Sequence, residues 1–276
     1  MKTYAVSFLL FLQQVSLGGL FALSVTPFRQ LERGFYKSTA GVLVLISLLA
    51  LWGKVDLYLK AETGPQPFWT TLDLSIFLLF CVCIVLYLIS LWGERVRIRA
   101  RAFSLALLLG ILGLGLTAFN FHHAAFWSVE TFLYAVSFFL SSLLLGGATV
   151  GMLIGHWYLI DTGQSLEPFL GVFRFFVVVL IVHTSFLILA PGALYLLGDP
   201  ATHAGLQRLW SEHLLLLGAR LLVSQAGPLV LCYMIWQTLK VPNTMAATGL
   251  FYIALLGVVV GEILGRQLLS LTALPL

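Results

Sequence analysis

The sequence predicts an all-α integral membrane protein, a bundle of about eight transmembrane helices with both termini on the non-cytoplasmic side. Three observations predict it. Only 9% of the residues are charged and 60% are hydrophobic, whereas a soluble domain carries roughly a quarter charged residues. The mean hydropathy is +1.02. Apolar runs long enough to cross a bilayer recur along the whole chain, punctuated by proline, glycine and short charged segments. The outer surface must therefore face lipid, where only helices and closed barrels satisfy their own backbone.

The spans follow in order. The first, 4–26, comes after Met1-Lys2-Thr3 and so resembles a signal peptide. Its apolar stretch is too long for such a leader, Phe21-Ala22-Leu23 makes a poor cleavage site, and Arg29 follows, so it reads as a retained helix. The second, 38–59, is the weakest because Lys54 and Asp56 interrupt its end. The third, 72–93, follows the breakers Gly64-Pro65 and Pro67; the fourth, 102–121, follows Arg95, Arg97, Arg99 and Arg101. The fifth, 131–159, opens at Glu130 and holds a glycine-rich run. The sixth, 169–190, lies between Pro168 and Pro191. The seventh, 213–238, lies between Pro200 and Pro242 with Gly227-Pro228 inside it, and the eighth is 246–270. No loop exceeds about 25 residues, so residues 1–276 form one polytopic domain, divisible into halves 1–121 and 122–276.

Orientation follows the basic residues. The odd loops and their edges hold nine: Arg29, Arg33, Lys37, Arg95, Arg97, Arg99, Arg101, Arg174 and Lys240. The N-terminus and even loops hold four: Lys2, Lys54, Lys60 and Arg208. The odd loops thus belong in the cytoplasm. Trp52, Trp69, Trp92, Trp127 and Trp157 near span ends fit an interfacial aromatic belt. The net charge of +4 reflects these topology determinants; no basic stripe with interleaved aromatics suggests nucleic-acid binding.

Function must then come from polar groups within the spans or from partner subunits. Ionisable groups in hydrocarbon cost about 2.5–3.5 kcal/mol each on insertion scales. The spans and their ends carry Asp73, Glu130, His156, His183, His213, Arg220, Glu262 and Arg266, with the amides of Gln13, Gln14 and Gln225. Counting along the helices puts Arg220 about 10 Å below the outer surface. His183 falls near the midplane, Glu262 and Arg266 in the outer half, and His213 with His122 and His123 at the outer edge. Titratable groups therefore gather in the outer half of the last four spans.

Glu262 and Arg266 are one turn apart, acid first, the favourable order on a helix. Gly261 and Gly265 beside them admit a close neighbour. The pair reads either as a packing ion pair or as part of a proton-accepting or quinone-headgroup site, which Arg220 would complete. His183 reads as a bonded interior histidine, a quinone hydrogen-bond donor or a haem ligand. Haem b between helices needs two histidines at matched depth; His183 and His156 differ by roughly 10 Å. Gly147, Gly151 and Gly155 recur every four residues, a smooth face for tight packing or a flat ligand. Cys81, Cys83 and Cys232 are scattered through apolar runs and make no cluster ligand set.

The closing Gly261-Glu262-Ile263-Leu264-Gly265-Arg266 resembles the membrane anchor subunits of dimethyl-sulfoxide-reductase-type enzymes, within the polysulfide-reductase (NrfD-like) group. Span number, chain length and short loops are similar. The resemblance implies an eight-helix anchor that exchanges electrons with quinone and holds iron–sulfur and catalytic subunits at a bacterial inner membrane. By motif, only Glu262 and Arg266 carry over.

The resulting expectation is a quinone- or quinol-interacting subunit of a multisubunit respiratory or electron-transfer complex. The ring would enter from lipid, His183 or Arg220 would hydrogen-bond a carbonyl, and Glu262 would accept the proton. Arg266, His123 and His213 complete the candidate set. Electrons would pass to a redox cofactor in a partner. A haem b-binding cytochrome subunit, a purely structural subunit and a transporter remain the alternatives.

Overall fold

The computed structural model describes residues 4–28, 30–60, 68–121, 128–161 and 163–276. Among these the chain is helical throughout: α1 (Tyr4–Ser24), α2 (Arg33–Lys60), α3 (Phe68–Ser90), α4 (Val96–Phe121), α5 (Val129–Ile160), α6 (Glu167–Leu197), α7 (Pro200–Glu212), α8 (Leu214–Leu221), α9 (Gly227–Lys240) and α10 (Thr244–Thr272). A π-helical segment, Leu222–Ala226, joins α8 to α9. Counting α8 to α9 as one rod, eight helical spans are long and apolar enough to cross a membrane. The chain is a helical membrane bundle.

The helices overrun the predicted spans at several ends, because charged residues at Arg33 and Arg97–Arg101 sit on the helix yet outside hydrocarbon. Pro191 does not end α6, which continues to Leu197. In lipid a helix that stops early strands its backbone, so one lost hydrogen bond is tolerated. The long connection after α6 contains α7, which hydropathy overlooks because the helix is amphipathic rather than apolar. Asp199 caps it: the Thr202 N–H donates to the carboxylate at 2.8 Å, and that bond holds the Asp199 carboxyl below its ordinary range. A carboxyl with a lowered folded value stabilises fully above the unfolded pKa and loses the contribution as pH falls through the folded one. Asp199→Ala is expected to weaken α7 by about 1 kcal/mol near neutral pH, and by progressively less in acid; amide exchange in its first turn measures this.

α1 and α5 form the central pair, contacting each other more extensively than any other two elements. α2 and α4 pack against α1, with α3 against α4 and α2; α6 and α10 pack around α5, while α8 and α9 lie on α10. One continuous apolar core joins the two halves. At the α1–α5 crossing the backbones touch: a Cβ on Gly18 would lie 1.7 Å from the Ser142 carbonyl oxygen, and one on Gly146 1.8 Å from the Gly18 carbonyl carbon. The face made by Gly151 and Gly155 receives Phe251 and Thr248 of α10. Side chains therefore fill it, the tight-packing alternative. Outward faces are apolar, as Leu78, Leu79, Val82, Leu86 and Ile89 along α3 illustrate. Trp52, Trp69 and Trp92 are exposed near span ends; Trp157 instead packs on Gly34 and Phe35, and Trp127 lies outside the described residues.

Candidate intramembrane polar site

The motif at the end of α10 makes a notch. A Cβ on Gly265 would lie 2.2 Å from Nη1 of Arg220, and one on Gly261 1.9 Å from the Ser224 Cβ. The two glycines are what allow α8 and the π segment to approach α10 closely enough for Arg220 to reach Glu262.

The π segment supplies the rest. Pro228 has no N–H, and its ring would crowd the carbonyl four residues earlier in a regular helix. Widening the turn absorbs the proline, and Gly227 N–H bonds the Leu222 carbonyl five residues back. The same widening turns the consecutive residues Ser224 and Gln225 inward, where both are buried. Gly227-Pro228, legible only as a midspan breaker, thus sets the azimuth of two polar side chains.

Glu262 is the centre of the cluster and is fully buried. Its Oε1 lies 3.2 Å from Nη2 of Arg220 and 3.7 Å from Nε2 of His183. Its Oε2 accepts from Nη2 of Arg266 at 3.0 Å. Arg266 also donates to the Ser141 hydroxyl of α5 at 3.0 Å and lies over the Phe138 ring at 5.1 Å. His183 Nδ1 is 3.1 Å from the Gln225 amide nitrogen, and Thr184 donates to the Gln225 carbonyl at 2.7 Å. With that amide donating to Nδ1, the imidazole proton sits on Nε2, facing Glu262 and the Ser141 hydroxyl at 3.4 Å. Groups from α6, α8 and α10 meet at one carboxylate, and Arg266 and His183 extend the network to Ser141 of α5 and Gln225 of the π segment.

The charges do not balance. Two guanidiniums face one carboxylate, and Arg220 Nε and Nη1 and Arg266 Nε have no hydrogen-bond partner. A neutral His183 leaves the cluster with an excess positive charge in the low-dielectric interior. The carboxylate is stabilised as an anion by both cations.

Of the sequence-predicted residues, Glu262, Arg266, Arg220 and His183 converge. His213 stands apart: it is the joint between α7 and α8, with the Glu212 carboxylate 3.9 Å away. His123 lies outside the described residues. His156 accepts or donates at Nδ1 with the Tyr252 hydroxyl at 3.1 Å. Glu130 receives the Thr202 hydroxyl at 2.9 Å and so ties α7 to α5.

Sequence reasoning passed over a second polar group in the first half. Lys54 of α2 and Asp73 of α3 pair at 2.9 Å. Thr117 of α4 donates to Asp73 at 2.6 Å, with the Gln13 carbonyl of α1 3.3 Å from its hydroxyl. The pair borders a cavity of about 250 Å³ whose other walls are largely apolar, among them Leu9, Leu10, Leu57 and Phe121. The signal was present: Lys54 breaks the second span near its end, Asp73 opens the third, and a short connection brings the two to one depth.

A polar seam links the two groups. Beside Gln13, the Gln14 amide donates to the Phe138 carbonyl at 2.8 Å, and Ser142 donates to the Gln14 carbonyl at 2.9 Å. Ser142 adjoins Ser141, the partner of Arg266. Buried Gln13 Nε2, Gln14 Oε1 and Ser137 Oγ along this seam lack protein partners, sites that water commonly satisfies.

Among the described residues no three His, Cys, Asp or Glu side chains are grouped to hold a metal ion, and the three cysteines are free thiols. Fold and site together define a polytopic helical membrane protein with a buried, unbalanced ionic cluster and a separate, largely apolar pocket bordered by an ion pair. No family model, no curated protein and no solved structure matches the chain.

Proposed function

We propose that this chain is a quinone- or quinol-interacting membrane subunit of a multisubunit electron-transfer complex, of the type the closing Gly-Glu-x-x-Gly-Arg motif resembles. The carrying observation is the cavity ending on Lys54 and Asp73, with the polar residues Gln13, Gln14 and Ser142 lying between it and the Glu262 cluster. A small apolar chamber with a few convergent polar groups is what a ring headgroup with an isoprenoid tail requires.

The geometry shifts the chemical roles within that reading. Both carboxylate oxygens of Glu262 are engaged by guanidiniums, Oε1 by Arg220 and Oε2 by Arg266, so it serves as a fixed charge that ties helices together. Asp73 faces a single ammonium at the cavity wall. In quinol oxidation, Lys54 hydrogen-bonds one ring oxygen, Asp73 takes the proton from the other, and the second proton leaves through the cavity mouth. The two electrons pass to a redox centre in a partner subunit, since the free cysteines here are dispersed. The Glu262 cluster holds the last four spans rigid behind the pocket. On this reading the termini and the pocket lie on the non-cytoplasmic face of a bacterial inner membrane, with the nine basic residues on the other side.

A haem b reading fits less well. Both ring nitrogens of His183 are engaged, Nδ1 by Gln225 and Nε2 by Ser141 and Glu262. An axial iron bond would break that network.

Binding of a fluorescent hydroxyquinoline-N-oxide quinone analogue to the purified chain tests the proposal. Saturable binding is expected, and Lys54→Met should weaken it about tenfold by removing one charge-assisted hydrogen bond. Asp73→Asn should reduce quinol turnover of the co-purified complex by about 10²-fold or more. Absence of saturable binding, or unchanged affinity in Lys54→Met, overturns the assignment.

A further inference from the structure

At the other end of the bundle, where α1 ends and α2 and α4 begin, lies a separate cavity of about 500 Å³. Its polar wall is Arg99, flanked by Thr26, Tyr36 and Tyr87; its apolar walls include Leu23 and Phe103.

Arg99 is only 9% exposed. Its guanidinium stacks 4.1 Å from the Phe28 ring centroid. Among the described residues it makes no ion pair, and its buried Nη1 has no hydrogen-bond partner. The Tyr36 hydroxyl is committed to the Thr26 carbonyl at 3.3 Å and does not relieve it. A desolvated guanidinium with an open face and no counter-charge is costly unless an anion sits against it. The surroundings favour an anion further: Arg33, Lys37, Arg95, Arg97 and Arg101 share this end of α2 and α4, against the exposed Glu32 and Glu94.

We infer that this cavity binds a phosphate-bearing anion, with Arg99 as its ligand, and that the source is the phosphodiester headgroup of an anionic phospholipid. Guanidinium matches phosphate in shape and charge, and basic pockets between spans recruit such headgroups. Lipid rather than free phosphate follows from the walls: beyond Arg99 the cavity is lined by the apolar Leu23 and Phe103, which lie further into the spans of α1 and α4, a path for an acyl chain. The inference is independent of the quinone reading, since it uses neither the Lys54–Asp73 pocket nor the Glu262 cluster.

The experiment compares thermal unfolding of the full chain in nanodiscs of phosphatidylcholine, with and without phosphatidylglycerol, and in phosphatidylcholine with inorganic phosphate. Phosphatidylglycerol should raise the midpoint by about 5 °C. Arg99→Gln should abolish that rise, Arg99→Lys should keep part of it, and the exposed-site control Arg97→Gln should keep most. Native mass spectrometry of the wild-type chain should find a retained phosphatidylglycerol, a readout that stands if Arg99→Gln does not fold. Equal midpoints in both lipids, a rise that survives Arg99→Gln, or equal protection by inorganic phosphate each overturns the lipid assignment.

Discussion

Glu262→Gln is expected to destabilise the bundle by about 3–5 kcal/mol, the cost of removing one partner from a buried ionic group. The variant leaves Arg220 and Arg266 facing each other's charge with no anion between them, each still desolvated. Arg220→Met should cost less. It leaves one cation, Arg266, against one carboxylate, a balanced pair at 3.0 Å, and the methionine still occupies the notch beside Gly265. Replacing Glu262, Arg220 and Arg266 together by apolar residues of similar volume should restore most of the lost stability, because a missing charge cluster costs far less than a broken one. Thermal unfolding of the purified variants ranks them. The order Glu262→Gln worst, Arg220→Met intermediate and the triple variant mildest depends on the two-to-one charge ratio. If Arg220→Met proved as damaging as Glu262→Gln, the excess positive charge would not be the governing term. The triple variant also separates roles: if it folds and binds the quinone analogue as wild type does, the cluster is a scaffold for the pocket and takes no part in the chemistry.

What the sequence disclosed and what it withheld divide along a physical line. Hydropathy reports which segments are apolar enough to lie in hydrocarbon, so all eight spans were legible. It does not report where a helix ends in water, and α2 and α4 run past their predicted limits for that reason; α6 does so because the helix carries through Pro191. An amphipathic helix such as α7 is invisible to it altogether. Depth was also legible, since residue count times rise fixes it, and His183, Arg220, Glu262 and Arg266 were placed at compatible levels. Azimuth was not. Whether those side chains face one another depends on the α8–α10 approach, which two glycines and a π turn determine. His213, expected at the outer edge, lies at a helix joint away from the cluster. The Lys54–Asp73 pair was missed because Lys54 was read as a topology charge at a span end, although it and Asp73 flank the same short connection.

Gly146→Ala should be among the most damaging single-methyl additions the chain can undergo. The added carbon would lie 1.8 Å from the Gly18 carbonyl carbon, 2.0 Å from its oxygen and 2.4 Å from the Gly19 nitrogen. These are backbone atoms of a buried helix, so no rotamer change relieves the contact; α1 and α5 must separate. Overpacking of a close-packed interior costs about 1–3 kcal/mol where side chains can adjust, and a backbone-to-backbone clash belongs at or above the upper end. The consequences reach the site because Gly18 and Gly146 each lie one helical turn from the seam, next to Gln14 and Ser142, whose hydrogen bond of 2.9 Å joins α1 to α5. Prying the crossing apart should therefore lower stability and weaken quinone-analogue binding at Lys54–Asp73 together. Gly115→Ala on α4 is the matched control: its new methyl meets nothing within 4 Å, and alanine improves helix propensity by up to about 1 kcal/mol. Unfolding midpoints that fall for Gly146→Ala and hold or rise for Gly115→Ala would establish the α1–α5 contact as the joint on which both polar groups depend. Equal midpoints would mean that the two helices meet less closely than their glycines permit.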